Sequence, residues 1–170
     1  GLIDSIEGKE AAEKRLDEMF RRLDASYGDE WFASGNEPSF QIPWIYNWAG
    51  APYKAQQVIR RILNEQYSSR VNGLPGNDDL GSMGAWYVFA SIGLFPEIPG
   101  VGGFSVNSPV FRKIVLHLPE GDVIIKGGDE KKEYIHSLSL DGKKMEGTWI
   151  DWSDLYRGAT LEYKLSGKPD

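Results

Sequence analysis

The hydrophobic period of this chain changes once, near residue 100, and that change limits the architecture to a helical part followed by a β part. Up to about residue 97, apolar side chains recur at three- and four-residue spacing, the mark of helices with one buried stripe. Past Gly100, Gly102 and Gly103 the period falls towards two, that of strands with one buried face. The class expected is α+β, with helices over 1–100 and a small, β-rich, antiparallel lobe over 101–170.

Within the first part, Gly8 precedes the strong helix-forming run Lys9-Glu10-Ala11-Ala12-Glu13, and Ala12, Leu16, Met19, Phe20 and Leu23 make one stripe. Ile42 to Trp48 reads as a short helical turn despite Pro43. A second helix starts with Pro52 in its first turn, where the missing amide proton costs nothing. Its buried face is Ala55, Val58, Ile59, Ile62, Leu63 and Tyr67. The third helix follows Asp78-Asp79-Leu80 and ends at Gly93; it is apolar nearly all round and is expected to be buried on every side. Three helices are too few to close a helical domain. Together with an opening on Gly-Leu-Ile and no methionine, this predicts a piece of a longer chain whose partner helices lie elsewhere.

In the second part, 113–118 and 123–125 read as strands around the turn Pro119-Glu120-Gly121-Asp122. Residues 134–140 form another strand, and Asp141-Gly142 is a hairpin signal leading to Lys143-Lys144-Met145. Trp149-Ile150 and 160–165 complete the set.

Composition removes several function classes. The chain of 170 residues has no cysteine and two histidines, His117 and His136, which excludes disulfide scaffolds, thiol catalysis and cysteine-based metal sites. A net charge of −6 has the wrong sign for neutralising phosphates, so nucleic acid is not an expected partner. No apolar run approaches the ~18 residues of a membrane span, and the first ten residues lack the pattern of a secretory signal.

The chemistry is concentrated in two loops. The first runs Trp31-Phe32-Ala33-Ser34-Gly35-Asn36-Glu37-Pro38-Ser39-Phe40-Gln41 and on through Pro43-Trp44 and Tyr46-Asn47-Trp48. Flat rings interleaved with amides and a carboxylate suit a sugar, whose C–H faces stack and whose hydroxyls need paired donors and acceptors. A buried aromatic cluster with Glu37 capping a turn fits the same residues. The second loop is Gly76-Asn77-Asp78-Asp79, at the mouth of a helix. There Asp can serve as a cap, as a carboxylate kept ionised by the helix dipole and able to take a proton from water, or as an oxygen ligand to a hard cation together with Glu37.

Residues 73–89, Gly-Leu-Pro-Gly-Asn-Asp-Asp-Leu-Gly-Ser-Met-Gly-Ala-Trp-Tyr-Val-Phe, with Gly93-Leu94-Phe95-Pro96 and Pro99-Gly100, resemble the C-terminal catalytic region of glycoside hydrolase family 92. Gly35-Asn36-Glu37-Pro38, Pro43-Trp44-Ile45-Tyr46-Asn47-Trp48-Ala49-Gly50, Ser108-Pro109-Val110-Phe111 and Gly158-Ala159-Thr160-Leu161 fit in the same register. The resemblance implies calcium-dependent, inverting exo-α-mannosidases acting on mannose-containing glycans. It also implies that residues 1–100 are the last helices of an (α/α)6 catalytic barrel. The catalytic residues implied are Asp79 and Asp78, with Asp79, the last acid of its motif, as general base; Asn77 stands where some members carry a further acid. Glu37, Asn36, Gln41, Trp31 and Trp44 would bind substrate, and Glu37, Asn36 and Asp79 would hold Ca2+. The general acid would lie outside this chain, so the chain alone is expected to be inactive. An extracytoplasmic bacterial location is implied as well. On this reading Asp79 points into a mannose-sized cavity. The rival reading of the same residues is a non-catalytic, calcium-dependent carbohydrate-binding module.

Overall fold

The structure, a computed structural model, describes residues 2–26 and 28–169. It is α+β. Contacts divide the chain into two compact units, Gly1–Val88 and Phe89–Asp170.

In the first unit, α1 (Leu2–Ser5) is followed by α2 (Lys9–Met19), which buries Ala12 and Leu16 and leaves Phe20 and Leu23 buried just beyond its end. A 3-10 turn at Glu37–Ser39 and another at Ile42–Trp44 lead into α3 (Ile45–Ala49), where the sequence predicts a short helical turn. Helix α4 (Pro52–Glu65) has Pro52 at its start and buries Ala55, Val58, Ile59, Ile62 and Leu63 of the predicted stripe, whereas Tyr67 lies past its end and is half-buried. Phe20 packs on Phe32 and Tyr46 at centroid distances of 4.8 and 5.8 Å. At the edge of this core the Tyr46 hydroxyl donates to Asp17 at 2.8 Å, and Lys54 bridges Asp17 and Glu13 at 2.6 and 2.7 Å.

Helix α5 (Ser82–Ile92) runs from the first unit into the second. It is not buried on every side as the sequence predicts. Met83, Trp86 and Ala90 are inside, while Tyr87 is 40% and Val88 56% exposed. An apolar helix needs neighbours all round to disappear from water, and this chain supplies them on one side only.

The second unit begins before the glycine run, because the last turn of α5 contributes Ile92 to the β core and Leu94–Phe95 already forms β1. β1 pairs antiparallel with β2 (Gly103–Val106), and β2 with β7 (Trp149–Asp151). The larger sheet has the order β3 (Lys113–Leu118), β4 (Gly121–Lys126), β8 (Ala159–Ser166), β5 (Tyr134–Leu140), β6 (Lys143–Lys144). The expected antiparallel lobe is in fact mixed. β8 inserts between two hairpins, antiparallel to β5 and therefore parallel to β4. Val123, Ile125, Leu138, Ile150 and Leu161 form its core, and the buried Glu97 accepts a hydrogen bond from Ser105 Oγ. No helix among the described residues is long and apolar enough to cross a membrane.

Candidate active site

The backbone before α5 decides what each of the two adjacent acids does. Asp79, Leu80 and Gly81 adopt positive φ of 43°, 62° and 89° in succession, a left-handed run that Asp tolerates and Leu adopts only under strain. The run delays the helix to Ser82 and folds the chain back on itself. Asp78 can then cap it: its Oδ1 accepts the Gly84 amide at 3.1 Å, and its carbonyl accepts the Ser82 amide at 2.7 Å. Capping is therefore Asp78's occupation, and its carboxyl is committed to the helix it precedes.

Asp79 is left to face the other loop, where its carboxyl shares a hydrogen bond with that of Glu37. Glu37 opens the turn Glu37–Ser39 and also receives Ser82 Oγ at 3.5 Å. The two carboxyls titrate in opposite directions. The hydrogen bond from its own backbone amide, followed by those from Asp79 and Ser82, holds Glu37 below the usual carboxylate range. The hydrogen bond to Glu37 and that residue's negative charge push Asp79 up, with Asp78 adding to the same effect. The sequence position predicts a helix dipole that keeps Asp79 ionised; the neighbouring Glu37 carboxyl acts in the opposite sense and pushes Asp79 up.

The aromatic residues near this pair work as supports. Trp86 Nε1 donates to the Phe40 carbonyl at 3.0 Å, while its ring stacks on Tyr67 at 5.6 Å and meets Trp44 edge-on at 5.7 Å. Trp44, expected to bind substrate, is 0% exposed and offers no face to a ligand; the pattern Pro-Trp-Ile-Tyr places it under the loop. Trp31 is half-buried with the Arg22 guanidinium 4.9 Å above its ring, which covers the face a sugar would use. Gln41 is half-buried, and its carbonyl accepts the Trp44 amide at 3.1 Å. Asn36 is exposed and lines a cavity of about 460 Å³ with Leu23, Asp24, Ser34 and Gln66. Neither Glu37 nor Asp79 lines that cavity. Asp79 is exposed, so the mannose-sized enclosure expected around it is not formed by these residues.

The sequence reading missed Ser82 and Trp86. Their four-residue spacing puts both on one face of α5, directed at the Glu37 loop, and that periodicity was the available signal.

As a cation site, the pair offers hard oxygen donors in its two carboxyls and the Ser82 hydroxyl, while Asn36 lines the separate cavity. Two carboxyls whose charges oppose each other match a divalent ion in charge and in donor type. The set is partial. Among the described residues, no group of three His, Asp or Glu side chains is placed to hold a metal.

Residues 1–167 match the profile described as the glycosyl hydrolase family 92 catalytic domain. The chain is 33% identical over 150 residues to an uncharacterized secreted glycosidase of Arthroderma benhamiae, covering 85% of this chain and 19% of that protein. It resembles the solved family GH92 alpha-mannosidase of Bacteroides thetaiotaomicron at 33% identity and a TM-score of 0.86, covering 96% of this chain and 22% of that one. A family GH92 inverting mannosidase of the same organism gives 28% identity and a TM-score of 0.87, over 99% and 26%. The chain thus spans about a fifth to a quarter of the length of these relatives.

Proposed function

This chain belongs to glycosyl hydrolase family 92, and on that premise we propose that it is the C-terminal part of an inverting, calcium-dependent α-mannosidase that removes terminal α-linked mannose from glycans. Residues 1–100 supply the last helices of an (α/α)6 catalytic barrel, and residues 101–170 a β-rich C-terminal lobe. The similarity to a secreted glycosidase supports an extracytoplasmic location.

One observation carries this reading: the acids of two separate motif loops, Glu37 and Asp79, meet carboxyl to carboxyl. Asp79 is the general base that takes a proton from the attacking water, and Asp78 fixes the helix end from which Asp79 projects. Glu37, Asn36 and Asp79 hold Ca2+, with Asn36 and Gln41 within reach of the sugar hydroxyls. When bound, Ca2+ would supply positive charge that offsets the opposed charges of the two carboxyls and polarises sugar hydroxyls.

The family resemblance puts the general acid outside this chain, and the Glu37–Asp79 contact supports that reading. An inverting glycosidase keeps acid and base roughly 6.5–9.5 Å apart, so that a sugar and a water fit between them. Carboxyls in hydrogen-bond contact leave room for neither, so Glu37 is not the acid that partners Asp79. The acid comes from another part of the enzyme, which also closes the open surface around Asp79.

In the complete enzyme, Asp79→Asn should lower kcat by on the order of 10²–10⁴-fold while leaving the thermal unfolding curve in place. A variant turning over at near wild-type rate would remove Asp79 from the base role. Proton NMR of the first product formed would check the stereochemistry, since inversion predicts β-mannose before mutarotation.

A further inference from the structure

Two glycines touch where the loops that carry Glu37 and Asp79 come together. A β-carbon on Gly35 would lie 2.7 Å from the Pro75 carbonyl oxygen and 3.2 Å from Gly76 Cα. One on Gly76 would lie 2.7 Å from Gly35 Cα and 2.9 Å from its carbonyl carbon. All of these neighbours are backbone, which cannot swing aside as the end of a side chain can. Neither glycine is among the residues with positive φ, so each is required for space rather than for torsional freedom. The requirement is mutual, because each glycine is the other's obstacle.

The contact sits two residues before Glu37 and three before Asp79, with no flexible segment between. Beyond Glu37 the same two segments are fastened again by Trp86 Nε1 on the Phe40 carbonyl, while Ser82 Oγ donates to the Asp78 carbonyl at 2.8 Å and lies 3.5 Å from Glu37. The carboxyl pair is therefore held between a glycine seam and a side-chain tie. Only the seam sets how closely the backbones approach, since side-chain bonds can follow a small displacement.

Resting on the mannosidase reading above, we propose that Gly35 and Gly76 are positioning residues for the reaction: their backbone contact sets the separation of the Glu37 and Asp79 carboxyls, and no larger residue at either position maintains it. Any side chain there displaces one loop from the other and moves the base relative to its partner. A misplacement of about 1 Å costs on the order of 10²-fold in rate.

The test uses the complete enzyme carrying Gly35→Ala or Gly76→Ala, with Gly147→Ala as control because its β-carbon would meet nothing within 4 Å. For each, kcat and KM on an aryl α-mannoside, calcium affinity by calorimetry and the thermal midpoint are measured. The expected result is a kcat lower by about 10-fold or more, little change in KM, weaker calcium binding and a folded protein, with the control unchanged. Wild-type kcat and calcium affinity in folded variants would overturn the proposal. So would a lowered midpoint with kcat per folded molecule intact, which is what a merely structural role predicts. If neither variant folds, hydrogen exchange on the wild type decides. Amides at 35–37 and 76–79 opening with one common rate support the seam, and independent opening overturns it. A wild-type enzyme that released no mannose would refute the mannosidase reading alone, because the exchange and calcium measurements still judge the glycine contact.

Discussion

Asp78 Oδ1 accepts the Gly84 amide, while the carboxyl of the next residue meets that of Glu37. The sequence shows two adjacent acids before an apolar helix, and so a cap or a catalytic group, but it cannot divide the roles. That division depends on the left-handed φ of Asp79 and Leu80, and nothing about a leucine announces positive φ. Two measurements on this chain separate the acids. Asp78→Ala should lower unfolding stability in urea by about 1 kcal/mol, the usual loss for a helix cap. Glu37→Gln should leave the fold intact and change a titration instead. By carboxyl-carbon NMR, Asp79 should titrate above the ordinary carboxylate range and Glu37 below it in the wild type. With the Glu37 charge removed, Asp79 should fall back towards the ordinary aspartate range, Asp78 keeping a smaller upward effect. The signs set the window in which the contact helps. Asp79's contribution is complete below its ordinary pKa and is lost as pH rises through the raised value. Glu37's is present above its ordinary pKa and is lost as pH falls through the lowered one. The contact is therefore strongest between the two folded-state values and weakens on either side. An Asp79 titration that ignored Glu37→Gln would mean that the two carboxyls do not meet in solution.

Periodicity made α2 and α4 readable, because each follows one local rule, and it found β5 although its register shifts between Ile135 and Ser137. The Asp141-Gly142 turn was readable for the same reason: both residues take positive φ, 48° and 77°, as a two-residue hairpin loop requires. The parallel pairing of β4 with β8 was not, since Val123 opposes Ala159 across 36 residues of chain and no local pattern encodes that choice. Helix α5 was read half correctly. Its apolar composition is real, but composition alone does not say which side finds neighbours within the chain. Trp86 shows what the covered side does, since its indole both fills the space against Trp44 and Tyr67 and donates to the Phe40 carbonyl. Trp86→Phe keeps an aromatic ring but removes that donor and part of the volume. It should lower stability by about 2–3 kcal/mol in denaturant titrations. In hydrogen exchange, faster opening should be concentrated at 37–41. Uniform loss with no preference for that loop would show that the indole N–H does not hold it.

At the scale of the whole chain, the first unit leaves Val71, Leu74, Leu80, Tyr87 and Val88 in water, more apolar surface in one stretch of sequence than a self-sufficient unit usually tolerates. The carboxyl pair beside that stretch is equally unfinished, with Asp79 exposed and Glu37 half-buried and without the enclosure that a glycosidase uses to exclude bulk water. Both facts have one explanation if further segments of a longer enzyme cover this face and bring the general acid with them. The 170 residues alone should then release no mannose from an aryl α-mannoside, with or without Ca2+, while binding an apolar dye such as ANS. Supplying the preceding part of the enzyme as a separate polypeptide should suppress the dye signal and restore hydrolysis together, because the surface and the acid arrive on the same piece. Mannose release by the 170 residues unaided would place the acid within this chain. Dye binding suppressed without any hydrolysis would mean that the surface is completed by a segment that does not carry the acid.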